Sequence, residues 1–380
     1  MVCIKIVLKK FFLITVLLFN YLNVFSLSIF QNSDFVSLSM DDGLSNNTIK
    51  YIMMDSHDFV WICTDMGLCR YDGTNFETIS PINFNENFCY KRFDKIYEDI
   101  DGMFWILSEG VLYKYDYIEN KILYSFSGVI SLCYDKEKSS LWAISDSGLV
   151  RFYKGQKYNI CNTLKSVEIL NVLGDSLFCY SKQSGVFQFD VNQNRIHIFN
   201  DNKNIEFSSA YKDKNGNLFV LSRFDGCYLF DKNSNKFLLI DDIELQSLLS
   251  GHANDINGDG NYIYFSTSYN GLVIYDRILK KIQNIKKLPF LNYNINDNNL
   301  SCVYIDKYKG LWLGTSESGV NYRSSFSSGF HYYNSITNKN GDLGTVGNFI
   351  EYGDYVYVAT EGGLSRINIK NNEAESVNIS

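Results

Sequence analysis

Proline is nearly absent from this sequence, and basic runs and metal-binding patterns are scarce as well. Only two of the 380 residues are proline, Pro81 and Pro289, so Asn, Asp, Gly and Ser must form the turns. No stretch rich in Lys or Arg follows residue 10 and the net charge is −7, which argues against a nucleic-acid partner, because neutralising phosphates needs a basic surface. No CxxC pair occurs among the nine cysteines. We therefore expect no bound metal and no cofactor.

The cysteines past residue 26 fall mainly inside runs that read as strands. We expect them to be buried small apolar side chains, with one or two disulfides as the alternative in an exported protein, although their spacing defines no pairing. These eight residues are Cys63, Cys69, Cys89, Cys133, Cys161, Cys179, Cys227 and Cys302.

The N-terminus has the pattern of an export signal. Lys5, Lys9 and Lys10 form a positive region, Phe11 to Phe19 is a short apolar region, and a cleavage site follows Ser26. An uncleaved membrane anchor is the alternative, but a span needs about 20 apolar residues and no other stretch could cross a bilayer. We predict a periplasmic protein.

The remaining composition favours strands around a large core. Hydrophobic residues make up 46% of the chain and aromatic residues 16%, with 28 Tyr and 28 Phe. Aromatic and β-branched side chains are typical of β-sheets, and this hydrophobic content is too high for a disordered chain.

A repeated pattern organises the chain. A large aromatic residue recurs at intervals of 36 to 48 residues, and Thr or Ser follows each one three positions later. Each repeat has room for four short strands, with a Gly before the third, and units of this size with four strands are blades of a β-propeller. A β-solenoid and a set of sandwiches fit this period less well. The repeat aromatics are Trp61, Trp105, Trp142, Phe178, Phe219, Tyr264, Trp312 and Tyr357.

We therefore predict an all-β fold: a seven-bladed β-propeller of four-stranded antiparallel blades, plus one extra blade that would begin a second propeller. The predicted parts are a signal peptide (1–26), the propeller (27–335) and an orphan blade (336–380). The strand at 35–40 is predicted to complete the seventh blade, and Phe330 to Tyr333 is the alternative strand for that position. The lone blade would expose both faces, which points to a truncated gene or to a partner chain or homodimer that covers it.

The residue pattern of the repeat is specific. Gly43–Asn47, Val60–Thr64 and Gly67–Gly73 form its most complete copy, and Gly310–Thr315 with Gly319–Tyr322 repeats it near the end of the chain. This pattern closely resembles the two-component regulator propeller repeat, whereas units four to six are degenerate.

The resemblance extends over residues 34 to 380 and implies a function. Such repeats form the periplasmic sensor region of hybrid two-component histidine kinases, which detect glycan fragments. It therefore implies ligand sensing with an oligosaccharide or another small molecule as partner, and no enzymatic activity in this chain. Any kinase activity, and any membrane attachment, would lie in a missing C-terminal part.

A ligand site is expected where second-to-third-strand turns meet the loops that connect blades, because functional residues concentrate on such loops. Aromatic, acidic, amide and guanidinium side chains there suit a sugar, and ordinary solvated turns are the alternative. The candidate ligand-binding residues are Arg223, Phe224, Asp225, Tyr269, Asn270, Glu317, Asn46 and Asn47.

Signs of catalysis are weak. The four histidines are scattered, and the sequence contains neither HExxH nor GxSxG. Asp residues recur at a fixed distance before the repeat aromatics, which favours turn capping over acid–base pairs. A secreted scaffold for protein–protein interaction remains the alternative function, and a propeller glycosidase or lyase is a third. The recurring residues are Asp55, Asp99, Asp135, Asp213 and Asp306.

Overall fold

The computed structural model describes residues 35–84, 86–199, 205–287, 294–325, 345–368 and 374–377. The predicted signal peptide, the segment 330–333 and His331 lie outside the described residues. The chain divides into two compact units, Met1–Ser325 and Phe326–Ser380.

The fold is all-β. Within the described residues, the strands form eight four-stranded antiparallel sheets, seven in the first unit and one in the second. We number them sheets 1 to 8 in chain order. In sheets 1 to 6 the four strands lie side by side in the order in which they follow along the chain.

The strands of the first unit are grouped by their position in the sheet. The first strands are Ile49–Met54, Lys95–Glu98, Val129–Asp135, Glu168–Leu173, Phe207–Lys212, Ala253–Gly258 and Leu300–Ile305. The second strands are Val60–Thr64, Phe104–Ser108, Ser140–Ser145, Ser176–Ser181, Leu218–Ser222, Tyr262–Thr267 and Leu311–Thr315. The third strands are Leu68–Tyr71, Val111–Asp116, Gly148–Tyr153, Gly185–Asp190, Gly226–Asp231, Leu272–Asp276 and Val320–Arg323. The fourth strands are Phe76–Thr78, Lys121–Ser127, Gln156–Cys161, Arg195–Ile198, Lys236–Leu239, Lys281–Ile285 and, in sheet 7, Val36–Leu38.

Sheet 7 takes its fourth strand from the beginning of the chain. Val36–Leu38 pairs antiparallel with Val320–Arg323, in the register Val36 to Tyr322 and Leu38 to Val320. This pairing occupies an edge that would otherwise present unpaired main-chain groups.

The core lies between the sheets rather than inside any one of them. Seven apolar clusters each join two sheets, and six of them join sheets that are consecutive in the chain. The seventh packs Ile52 and Ile62 of sheet 1 against Cys302 and Trp312 of sheet 7. In the sheets of the first unit, the strand in second position has a neighbouring sheet on each face. Its aromatic and β-branched residues are therefore buried on both sides. This succession of face-packed sheets is the packing of a propeller.

All eight repeat aromatics lie on second strands. In seven of the eight sheets the Ser or Thr three positions later bonds within the following turn, as where the hydroxyl of Thr64 donates to the carbonyl of Gly67 at 2.8 Å and that of Thr315 to the carbonyl of Gly319 at 2.8 Å. In sheet 2 the hydroxyl of Ser108 instead donates to the carbonyl of Arg92 at 2.7 Å. The repeat therefore encodes one strand and the turn that ends it.

Helices are few in the described residues. The α-helix Ile243–Leu249, which we name α1, connects sheets 5 and 6 and buries Leu245 and Leu249 between them. Asp242 caps its N-terminus by accepting the main-chain N–H of Leu245 at 3.0 Å. Two short 3₁₀ segments span Met40–Asp42 and Glu86–Tyr90. No helix of the described chain is long and apolar enough to cross a membrane.

Sheet 8 consists of Val346–Tyr352, Tyr355–Thr360, Gly363–Asn368 and Ala374–Val377. Its first strand is exposed along its whole length. Only Val358 and Ala374 form a small buried cluster, with Val356 and Ile367 packed against them.

Candidate functional site

The candidate residues lie on turns at one end of the sheets. Arg223, Phe224 and Asp225 connect the second and third strands of sheet 5, Tyr269 and Asn270 connect those of sheet 6, and Glu317 lies in the corresponding turn of sheet 7. In an antiparallel sheet the second strand ends where the first begins, so these turns share an edge with the loops that enter the first strands. Asn46 and Asn47 lie in the loop that enters sheet 1.

The loop around α1 joins the candidate turns of sheets 5 and 6. The hydroxyl of Ser250 donates to the carbonyl of Phe224 at 2.6 Å, and the side-chain amide of Asn270 donates to the carbonyl of Leu248 at 2.7 Å. One loop therefore holds both turns by hydrogen bonds and fixes the spacing between them.

The next connecting loop ties sheets 6 and 7 in the same way. The main-chain N–H of Gly271 donates to the carbonyl of Asn298 at 3.1 Å, and the amide of Asn296 donates to the carbonyl of Ser318 at 2.6 Å. The candidate turns of sheets 5, 6 and 7 thus form a continuous row, which we name the turn row.

Four candidate side chains hold the loops themselves. The amide of Asn270 also accepts from Lys286 Nζ at 2.9 Å, and Asp225 Oδ2 accepts from the hydroxyl of Ser222 at 2.8 Å. Asn46 Oδ1 accepts the N–H of Thr48 and Asn47 Oδ1 accepts the N–H of Met40. For these four residues, the hydrogen bonds within the loops explain why a polar side chain is present.

Two candidate side chains project from the turn row as aromatic surfaces. Phe224 is 53% exposed and Tyr269 is 69% exposed. The ring of His252 packs edge-on against Tyr269, with centroids 4.9 Å apart and planes at 77°. Exposed Arg223 lies 3.4 Å from Glu206, and Glu317 is exposed one sheet further along. Flat apolar rings beside charged groups can bind a ligand that has both apolar faces and hydroxyls.

A cavity of about 880 Å³ runs between the first strands of sheets 1 to 7, and we name it the channel. Its shape depends on an irregularity that recurs. Six of these seven first strands carry a β-bulge, which adds an unpaired residue and redirects the side chains around it. The residues added at the bulges all line the channel: Lys50, Ile130, Leu170, Ser208, Asn254 and Ser301.

The pairing register defines one layer of the channel. In each first strand, one channel-lining residue pairs with the residue two positions after the repeat aromatic. Lys95 and Asp255 supply opposite charges to this layer. The members of this channel layer are Tyr51, Lys95, Ser131, Glu168, Ser209, Asp255 and Cys302.

Hydrogen bonds from the side chains of the layer connect neighbouring first strands. The hydroxyl of Ser209 donates to Asp255 Oδ1 at 2.6 Å, and the main-chain N–H of Val303 donates to Oδ2 at 3.1 Å. On the other side of the layer, Ser131 accepts the N–H of Ile169 at 3.0 Å. These contacts fix the channel side chains in place.

The environment of the channel layer shifts the pKa values of three of its side chains. Burial raises the pKa of the Asp255 carboxyl, against the donors that stabilise its charge. The phenol of Tyr97 beside Lys95 raises the pKa of the ammonium, and burial opposes it. Burial also holds the pKa of Tyr51 well above its usual value of 10.0. At pH 7 the channel therefore offers the Lys95 cation and the neutral phenols of Tyr51 and Tyr97.

Other reactive groups are dispersed. Within the described chain, no group of three His, Cys, Asp or Glu residues is arranged to hold a metal ion. The eight cysteines past residue 26 are all free thiols, and Cys63, Cys69, Cys179, Cys227 and Cys302 are buried. The prediction of small buried side chains is confirmed for these five.

Similarity to known proteins is visible in structure alone. No family model matches the chain, and no curated protein is similar to it. The fold matches the extracellular domain of the hybrid two-component system BT3049 from B. thetaiotaomicron with a TM-score of 0.70 and 19% identity, covering 91% of this chain and 49% of that one. A second such domain, of BT4673 from the same organism, matches with a TM-score of 0.61 and 15% identity, covering 91% and 47%.

The chain therefore spans about half the length of these extracellular domains. The resemblance inferred from the repeat motifs is confirmed, because the matched structures are extracellular domains of hybrid two-component systems. Virginiamycin B lyase from Staphylococcus aureus also matches, with a TM-score of 0.56 and 11% identity, covering 76% of this chain and 98% of that one. At these identities, the likeness shows the shared propeller fold.

Proposed function

We propose that this chain is an extracellular ligand-sensing propeller of a hybrid two-component system, that its ligand is a glycan fragment, and that it acts without catalysis. The turn row is the proposed place of binding. The observation that carries the proposal is that the loop around α1 holds, by hydrogen bonds, the two turns that expose Phe224 and Tyr269 on adjacent sheets beside charged side chains.

The proposal includes a closed ring of seven blades. Support comes from the cluster that packs sheet 7 against sheet 1, and from the strand Val36–Leu38 on the edge of sheet 7. A ring closed by pairing the two ends of its chain keeps the loops on one face in a fixed order, as a sensor surface requires.

The proposal extends to sheet 8, as the first blade of a second propeller. Its exposed first strand supports this, since Phe349 and Ile350 would be buried by a neighbouring sheet. The matched extracellular domains are about twice as long as this chain. The alternative that we propose to test is that a partner chain or a second copy of this chain covers the exposed strand of sheet 8.

Binding of oligosaccharides to the purified chain tests the function. Pools of oligosaccharides from different polysaccharides are titrated calorimetrically, and the active pool is fractionated to a single ligand. We expect Phe224→Ala and Tyr269→Ala each to weaken binding about fivefold or more, since stacking contacts contribute about 1 kcal/mol or more each.

Tyr158→Ala is the matched control. Tyr158 is also a half-exposed aromatic residue, but it lies on the fourth strand of sheet 3, away from the turn row. Its removal should leave the affinity unchanged. Equal losses in all three variants, or no binding to any pool, would contradict the proposed function.

A further inference from the structure

Lys95 occupies a distinctive place in the channel layer. It opens the first strand of sheet 2 and lines the channel, and Tyr97 lies two residues further on the same face of the strand. Within the described chain, no carboxylate oxygen lies within 4 Å of its Nζ. Of the other four cations that line the channel, Lys50, Arg92 and Lys212 are paired and Lys136 is exposed. Lys50 Nζ lies 3.0 Å from Asp65, and Lys212 Nζ lies 3.1 Å from Glu137.

The surroundings of Lys95 are rich in hydroxyl groups. The ring of Tyr97 packs edge-on against Tyr51 of sheet 1, with centroids 5.8 Å apart. Ser209 and Asp255 complete this layer from sheets 5 and 6. The carboxylate of Asp255 accepts from the Ser209 hydroxyl and from the main chain at Val303 and Ile256, which leaves one of its roughly four acceptor positions for a ligand hydroxyl.

These groups specify the charge of a matching ligand. One partly buried ammonium free of an ion pair favours an anion, because its charge would otherwise be partly desolvated without compensation. Asp255 and Glu168 line the same channel and repel a ligand with several negative charges. A single carboxylate on a polyhydroxylated molecule satisfies both conditions.

We infer that the channel binds the carboxylate of an acidic sugar at Lys95, while the phenols of Tyr51 and Tyr97 and the carboxyl of Asp255 bind its hydroxyl groups. This inference rests on the proposed function and narrows its ligand class to uronate-containing fragments. The volume of the channel, about 880 Å³, is within the range of ligand sites of small molecules.

The test compares three probes by calorimetry: galacturonate, which has a single carboxylate, its neutral counterpart galactose, and gluconate, a hydroxylated carboxylate without a sugar ring. We expect galacturonate to bind at least about tenfold more tightly than galactose, because a charge-assisted hydrogen bond contributes more than a neutral one. Lys95→Met should remove this advantage and Lys95→Arg should keep part of it. Lys50→Met is the control, since Lys50 also lines the channel but is paired with Asp65.

Salt provides a second readout that needs no variant. Added NaCl should weaken binding of galacturonate to the unmodified protein and leave that of galactose unchanged. Equal affinity for the acidic and neutral probes, or an unchanged affinity in Lys95→Met, would overturn the inference while the proposed function stands. Binding of gluconate without any saccharide would support the carboxylate site and contradict glycan sensing. Failure of all probes, with neutral glycans still bound in the broader screen, would reject the channel site alone.

Discussion

The indole Nε1 of Trp61 donates a 2.7 Å hydrogen bond to Oδ2 of Asp55, six residues earlier in the chain. Oδ1 of the same carboxylate accepts the main-chain N–H groups of His57 and Phe59. One buried side chain therefore closes the first turn of the sheet and also orients the aromatic residue that packs between sheets. The same arrangement recurs in sheets 2 and 7, with indole-to-carboxylate distances of 3.1 and 2.9 Å.

Sheet 3 departs from this arrangement and provides a comparison. Asp135 lies seven residues before Trp142, and within the described chain the buried Nε1 of Trp142 has no hydrogen-bond partner. We expect Trp61→Phe to lower the free energy of unfolding by about 1–3 kcal/mol more than Trp142→Phe does, because only the first change leaves a buried carboxylate oxygen without its donor. Urea unfolding of both variants measures the difference.

The two substitutions remove the same atoms, so the cavity contributions are similar and the hydrogen bond accounts for the difference. Equal losses of stability would mean that the Trp61–Asp55 bond contributes nothing net.

These turns show why the fold was predictable from sequence. Asp-rich turns, an aromatic residue and a Ser or Thr at fixed spacing encode a strand and both of its ends, as Asp55, Trp61 and Thr64 do in sheet 1. The interpretation of the recurring Asp residues as turn caps is confirmed at Asp213 and Asp306, whose oxygens accept turn N–H groups. The boundaries of the domains remain predictions.

Gly319 lies against the N-terminal strand and tests its placement. Its φ is +83°, and a Cβ there would lie 2.2 Å from the carbonyl oxygen of Leu38. Gly73 has φ +99° but open space around it. Gly319→Ala should therefore destabilise the protein by about 2 kcal/mol more than Gly73→Ala, since both bear the backbone cost and only the first displaces a strand. Thermal unfolding followed by circular dichroism measures both, and similar midpoints would contradict the pairing of Leu38 with sheet 7.

Asp213 and Arg277 join sheets 5 and 6, with 2.9 Å between Nη1 and Oδ2. Burial acts to raise the pKa of the Asp213 carboxyl, but hydrogen bonds from Asn217 and Arg277 outweigh it and the pKa is lowered. This stabilisation is present above the pKa of an unfolded Asp, about 3.9, and is lost as the pH falls through the lower folded value. We expect Arg277→Met to cost about 2 kcal/mol at about pH 7 and clearly less at about pH 3.

Lys138→Met is the control for this experiment. Lys138 pairs with Asp175 between sheets 3 and 4, but both side chains are largely exposed, so its loss should change stability by less than about 1 kcal/mol. A cost of Arg277→Met that is independent of pH would show that packing over Phe219, and not the charge pair, is what the variant removes.

The candidate site was only partly predictable. Turn positions follow from the repeat, so the residues of the turn row could be named, but the sequence does not distinguish exposed Tyr269 from Asn270, whose amide holds the loop. The channel layer was missed because a bulge changes which side chains of a first strand face inward. Lys95 carries a weak signal: it is a charge at the start of a strand whose neighbours, Ile96 and Tyr97, are apolar or aromatic.

Hydrogen–deuterium exchange of the chain, with and without the oligosaccharide pool that binds best, tests the central claim of ligand sensing most directly. The account predicts slower exchange at residues 223–225, 250–252 and 268–271, where the loops of the turn row are held, and along the first strands that form the channel layer. Protection confined to the outer fourth strands or to sheet 8, or no protection with any pool, would contradict it.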